Sequence, residues 1–265
     1  MDKKQYDSTI IELREVMKGY RSLYESVDSG EQMKSPQPPL EKPWSGGKLI
    51  SLTKEFEDVI KKSNILDIIN DRKSRRNYSE EELTLDELAF LLWSTQGIKK
   101  VIGRERKATL RTVPSAGAKH PFDTYLFINR VKGLEPGLYH YLALEHKLEH
   151  IESNSDQVDR LTEASCGQAF FAGASVAFVW TVTPYRTEWR YTVQAQKYAL
   201  IDAGHLCQNL YLACEAIGCA ACAIGAYEQE LFDNLLHLDP NPSSSEDNEF
   251  VVYAASVGKM KGEDE

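Results

Sequence analysis

The chain has 265 residues, 42% hydrophobic and 27% charged, and its forty acidic against 31 basic residues give a formal net charge of -9. That length suits one large folded unit, burying about three quarters of its unfolded surface, while so acidic a surface argues against non-specific binding to nucleic acid or anionic lipid. Five cysteines make no disulfide framework and suit a reducing cytoplasm; no apolar run reaches the ~20 residues of a membrane span, and the N-terminus reads as no secretory signal.

In chain order, the first expected element is a helix over residues 5 to 27, with Ile10, Leu13, Met17 and Tyr20 on one face. DSGEQMKSPQPPLEKPWSGG then reads as an extended linker, so residues 1–48 are expected to be an extension and 49–265 the main domain. FEDVIKKSNILDIINDRKSRRNY predicts a helical segment and a basic turn. Thr84 with Glu87 three residues on predicts a capping box, followed by Leu88, Leu91 and Leu92 as a buried stripe and Gly97 as the stop. TYLFINRV predicts a strand, GLYHYLALEHKLEHI two strands around a turn, and VAFVWTV a buried strand. VQAQKYALIDAGHLCQNLYLACEAIG predicts a long central helix closed by Gly218, DPNPSSSEDNE a loop, and FVVYAASVGK a last strand. Strands and helices do not alternate one for one, so the pattern predicts an α+β fold rather than a doubly wound sheet.

Several nucleotide, metal and hydrolase signatures are missing: G-x-G-x-x-G after a strand, GxxxxGK[ST], HExxH and G-x-S-x-G. Cys219-Ala-Ala-Cys222 matches C-x-x-C, but its apolar setting reads as buried small thiols rather than a redox or metal pair. His205, alone on an apolar helix, reads as a satisfied core or interface group. Arg72-Lys73-Ser74-Arg75-Arg76 is sharper: arginines and a serine are donors suited to phosphate, although the same run also reads as a solvated basic turn. In RTVPSAGAKHPF, Pro114 and Pro121 exclude both core strand and helix. The loop's small side chains let backbone come close to something flat or bulky.

The series Arg72-Lys73-Ser74-x-Arg76, Pro114-Ser115-Ala116-Gly117-Ala118-Lys119-His120-Pro121, GLYHY, WRY, KYALIDAGHLCQNLYLACEAIGCAACAIG and SVGK resembles the flavin-dependent nitroreductase family over residues 49 to 260. The form PSAGAKHP is similar to its SagB-type branch, dehydrogenases associated with thiazole and oxazole formation in peptides. The resemblance implies an intertwined homodimer with FMN at the subunit interface. It implies that Arg72, Lys73, Ser74, Arg76 and Lys259 hold the FMN phosphate and ribityl chain, while Pro114, Ser115, Ala116 and Gly117 of the partner lie along the ring. Gln168 would meet the pyrimidine edge, and Ile224, Gly225 and Ala226 would cross the ring's other side. Gly225 stands where many nitroreductases have glutamate. Lys197 and Tyr198 match a pair implicated in azoline oxidation, either able to take a proton as hydride leaves. Arg186 and Arg190 receive no role. The readings in competition are an FMN dehydrogenase acting on a modified peptide or small molecule, an NAD(P)H-dependent nitro or quinone reductase, and a scaffold that docks a partner enzyme through the N-terminal extension.

Overall fold

Seven antiparallel strands in the order β1-β6-β5-β4-β7-β9-β8 form one sheet, and β2 and β3 form a separate hairpin. The strands are β1 Lys48–Ser51, β2 Ile98–Ile102, β3 Ala108–Arg111, β4 Phe122–Ile128, β5 Gly137–Leu142, β6 Lys147–Glu152, β7 Val176–Val182, β8 Cys219–Ile224 and β9 Phe250–Lys259. The helices are α1 Lys3–Arg14, α2 Ile65–Asp71, α3 Leu85–Gln96, α4 Gln157–Ala164, α5 Ala169–Ala172, α6 Tyr185–Tyr191, α7 Ala195–Ile217 and α8 Gln229–Leu235. The structure is a computed structural model that describes residues 3–19, 22, 25–105 and 107–262.

The fold is α+β, with helices on both faces of the sheet. Leu88, Leu91 and Leu92 of α3 and Leu206 and Leu210 of α7 meet Phe178 and Trp180 on one face. On the other, Ala177 and Val179 meet Leu161 of α4, Phe171 of α5 and Phe232 of α8. Every residue of β7 is therefore buried, which is why VAFVWTV is continuously apolar rather than alternating. The capping box of α3 forms as expected: Thr84 Oγ1 accepts from the Glu87 N–H at 3.1 Å, and Glu87 Oε2 accepts from the Thr84 N–H at 2.9 Å. Gly218, left-handed at φ 73°, closes α7.

Three features depart from the sequence reading. The first helix ends at Arg14 and gives way to a 3-10 turn at Glu15–Met17, and Tyr20 lies outside the described residues. Cys219–Ile224 is a strand, β8, although its sequence CAACAI has little strand character; pairing with β9 along its whole length imposes it. The proline-rich segment has no regular structure, yet it is a docked strap rather than a loose connection. Glu31 N–H bonds Trp189 O at 3.0 Å, Gln37 exchanges two bonds with the Lys107 backbone, and Lys42 Nζ reaches Glu249 at 2.7 Å. Ser45 and Gly47 close on Glu149, whose Oε1 accepts from both their N–H groups at 2.9 Å and from Ser45 Oγ at 2.6 Å. Beneath the strap, buried Asp123 pairs with Arg186 at 2.7 Å, and His140 lies between Asp123 and Glu149. Arg186 is thus a structural ion-pair partner.

Candidate active site

The basic turn leaves the end of α2 and lies along β8, where Ser74 forms a bridge with Ala221 and Arg75 N–H bonds Ala221 O at 3.0 Å. Tyr211 of α7 organises it. Its hydroxyl accepts from Ala223 N–H at 2.8 Å and lies 3.0 Å from Ser74 Oγ, while the Arg72 guanidinium sits over its ring at 5.3 Å. The phenol can donate to Ser74 and so leave the serine hydrogen for an anion. Arg76 covers the Phe170 ring at 5.4 Å, and Lys73 is exposed. Arg75 is engaged elsewhere, on Glu215 at 2.8 Å.

Lys259 is not brought into this group. Its Nζ is buried in an ion pair with Glu87, the residue that also caps α3, with Glu81 at 3.7 Å. Burial pulls the Lys259 pKa down, but the bond to Glu87 and the surrounding negative charge of Glu87, Glu81 and Cys219 together raise it overall. The side chain is held charged against Glu87 inside the protein.

Gln168 and the segment Ile224–Ala226 do come together. Gln168 Nε2 donates to Ser165 O and to Ala226 O, both at 2.9 Å. Its amide hydrogens are thereby taken, so Oε1 is the atom left to meet a ligand. At Gly225 a Cβ would meet nothing within 4 Å, so the backbone there borders open space.

The loop Pro114–Ala118 is anchored at a second station. Asp202 of α7, 4% exposed, accepts from Ser115 Oγ at 2.6 Å and from Ala116 N–H at 3.3 Å. Burial raises the Asp202 carboxyl above its ordinary range, against the lowering effect of those two bonds. Gly117, Ala118 and His120 are all left-handed, at φ 56°, 53° and 46°, a costly run for two residues that carry a Cβ. His120 is held there by its own N–H to Ser115 Oγ at 2.9 Å and by its ring Nε2 to Thr109 O at 3.1 Å. Burial, with the charge of Arg111, pushes its pKa down to about 3, so the ring is neutral and Nε2–H donates. Gly117 admits nothing larger, because a Cβ would stand 2.5 Å from Tyr191 Oη. Tyr198 packs edge-on against the same Tyr191 ring, with centroids 4.9 Å apart, and donates to Gln194 Oε1 at 2.9 Å. Lys197 is half-buried, and a Cβ at Gly19 would lie 3.7 Å from its Nζ.

The sequence-derived residues thus sort into two groups on one helix. The basic turn and β8 meet at Tyr211, and Gln168 is tied to Ala226 just beyond that strand; the Pro114–Gly117 loop is held by Asp202 and meets Tyr191, on whose ring Tyr198 packs. Asp202 and Tyr211 are nine residues apart along α7, roughly 13 Å at 1.5 Å per residue. Tyr191, Asp202 and Tyr211 lie within motifs the sequence reading matched but received no role there; the lone carboxylate in ALIDAGHL is the one residue-level signal that pointed to any of them. Cys219 and Cys222 lie buried in β8, three apart and so on opposite faces, and burial pushes the Cys219 thiol up to about 12. Among the described residues, no group of metal-ligating side chains gathers and no helix is long and apolar enough to cross a membrane.

With this geometry in hand, the profile of the nitroreductase family matches residues 69–259. The chain belongs to the nitroreductase family. It is 28% identical over 183 residues to a protein of Methanocaldococcus jannaschii that is provisionally named a nitroreductase, covering 69% of this chain and 89% of that one. It is 30% identical over 148 residues to the trifolitoxin-processing protein TfxB of Rhizobium leguminosarum bv. trifolii, covering 54% of this chain and 39% of TfxB. Among solved structures, a protein of Anabaena variabilis, also provisionally a nitroreductase, superposes with TM-score 0.70 at 22% identity. That match covers 92% of this chain, which spans 45% of the Anabaena one. A chain of the E. coli microcin synthetase McbBCD complex with truncated pro-MccB17 bound superposes with TM-score 0.57 at 20% identity, covering 82% of this chain and 79% of that one. Family membership makes the protein an oxidoreductase of nitroreductase type and accounts for its sheet and flanking helices.

Proposed function

We propose that this family member is an FMN-dependent dehydrogenase of SagB type, working as a homodimer and oxidising an azoline in a modified peptide to an azole. The observation that carries the proposal is the division of the site into two groups at separate stations of α7. A second copy packed antiparallel on this helix would set each group opposite the partner's other group, closing two equivalent sites. Leu200 and Ile201 on α7 and Ile65, Leu66 and Ile69 on α2 are exposed, an apolar surface suited to such packing. The names of TfxB and of the microcin synthetase complex support a peptide substrate.

The donor set fits FMN: a serine and three cations for its phosphate and ribityl chain, open backbone at Gly225 and a small-residue loop for its ring. When bound, FMN supplies a hydride acceptor. Arg72, Lys73, Ser74 and Arg76 would hold the phosphate end, and Gln168 Oε1 would accept from the pyrimidine edge. Ile224, Gly225 and Ala226 would border the ring, and the partner's loop from Pro114 to Gly117 would lie along it. Lys259 reaches the phosphate only by leaving Glu87. Oxidising an azoline removes one hydride and one proton, and Lys197 or Tyr198 receives the proton. Oxygen or another acceptor takes up the two electrons that the substrate gives.

An absorption spectrum of the purified protein, before and after anaerobic NADPH, tests this reading. Oxidised-flavin bands that NADPH bleaches only slowly are expected. Rapid bleaching would favour an NAD(P)H-dependent nitro or quinone reductase. A colourless protein that takes up no added FMN would overturn both and leave a docking role.

A further inference from the structure

The hairpin β2–β3 carries a charge opposite to that of the rest of the chain. Residues 98–111 hold six basic side chains and one acidic in a protein of net charge -9. Lys99, Lys100 and Arg104 are exposed and make no ion pair among the described residues. Between these cations stand three exposed aliphatic side chains, Val101, Ile102 and Leu110. Cross-strand pairing sets Lys100 beside Leu110 and Ile102 beside Ala108, so one face of the ribbon alternates charge with apolar surface.

The two edges of this hairpin differ. On β3's side the backbone is in use: Thr109 O takes the His120 ring, and the N–H and C=O of Lys107, just before β3, bond Gln37. Among the described residues β2 pairs only with β3, which leaves its outer edge open. Lysines on an open edge discourage pairing with a second basic edge, but they favour an acidic strand. The acidic remainder of the surface repels such a strand elsewhere and directs it to this ribbon. An open groove of about 580 Å³ is shared by the hairpin and the loop, lined by Lys99, Leu110 and Thr112 together with Pro114, Ser115 and Ala118.

We propose that β2–β3 is a docking surface for an acidic, extended peptide, which adds to β2 as a third strand and lays its neighbouring residues in the groove toward Pro114–Ala118. This rests on the peptide-oxidising reading for the fate of the docked chain, but the docking itself needs no flavin. Strand addition supplies affinity through main-chain hydrogen bonds, and the cations select the side chains.

The test uses the full chain and fluorescence anisotropy with three labelled twelve-residue probes. One alternates glutamate with valine, one alternates lysine with valine, and one is the glutamate probe with proline at every second valine. The glutamate probe is expected to bind, at least tenfold more weakly at 300 mM than at 50 mM salt, and to lose at least tenfold in affinity in the Lys99→Glu, Lys100→Glu, Arg104→Glu variant. The lysine and proline probes are expected not to bind. Thermal unfolding and FMN content of the variant should match those of the parent protein. Equal affinity of variant and parent for the glutamate probe, or no binding by either, would overturn the proposal. So would a dimer that dissociates in the variant, since the ribbon would then be a contact between copies. Peptide binding by a protein that takes up no FMN would uphold the docking surface while refuting the flavin reading.

Discussion

Glu149→Gln isolates the clasp that holds the proline-rich strap on the sheet. Glu149 is 1% exposed, and its Oε1 accepts three bonds from Ser45 and Gly47 while Oε2 faces His140 Nδ1 at 3.7 Å. Burial alone would raise its pKa, but His140 and the strap's donors outweigh it and hold the carboxyl at about 2, against an ordinary value of 4.5. A difference of about 2.5 units corresponds to roughly 3 kcal/mol of stability at pH 7. A depressed carboxylate stabilises the fold fully above its unfolded value, so this contribution fades as pH falls from 4.5 through 2. At pH 3 less than half of it remains. Glutamine keeps the shape and one acceptor but loses the charge, so it should lose stability at neutral pH and much less in acid. Urea denaturation of parent and variant should show a gap of roughly 3 kcal/mol at pH 7, falling to under half that by pH 3. A gap that does not change with pH, or none at pH 7, would refute the assignment of this stability to the Glu149 charge and its partners His140, Ser45 and Gly47.

Asp202→Asn should weaken the grip on Ser115 and Ala116 by about 1.4 kcal/mol, the scale of one charge-assisted bond made neutral. If the loop faces FMN, titration with FMN should then show about tenfold weaker binding with little change in thermal stability; unaltered affinity would detach the loop from the cofactor. Lys197→Ala or Tyr198→Phe should abolish azoline oxidation while flavin content stays at the parent level. Unchanged turnover in both would remove their catalytic assignment. Gly117→Ala places a Cβ against Tyr191 Oη in a left-handed residue, and should cost flavin affinity through displacement of the loop, measured in the same titration.

Elements whose cause is local were legible in the sequence. Thr84 and Glu87 are three residues apart, and their capping box forms as the pattern requires. The continuous run of β7 and the glycine stop of α7 follow from burial and from left-handed backbone. What escaped the reading depends on distant partners. CAACAI becomes a strand because β9 supplies a ladder, and the prolines of the strap look like a linker because Glu149 and Asp123 lie 81 or more residues from the groups they bind. The hairpin β2–β3, short and basic, offers no alternation strong enough to mark it. The same holds in the site. The residue types of the basic turn and the small-residue loop announce an anion and a flat ligand, but Ser115 meets Asp202 across 87 residues and Ser74 meets Tyr211 across 137. Lys259 shows the converse: the family resemblance suggests a phosphate ligand, whereas in the structure Glu87 pairs with it because a buried carboxylate needs a counter-charge.

The central claim, that one cofactor site needs two chains, is tested most directly by mixing half-broken proteins. One chain carries Arg72→Glu with Ser74→Glu, and the other carries Gly117→Trp. Each alone should bind no FMN, because both sites of either homodimer lack one half. After co-expression, half of the dimers should be mixed and each should hold one intact site, giving about one FMN per four chains. No FMN in the mixed preparation, although mixed dimers form, would contradict the account.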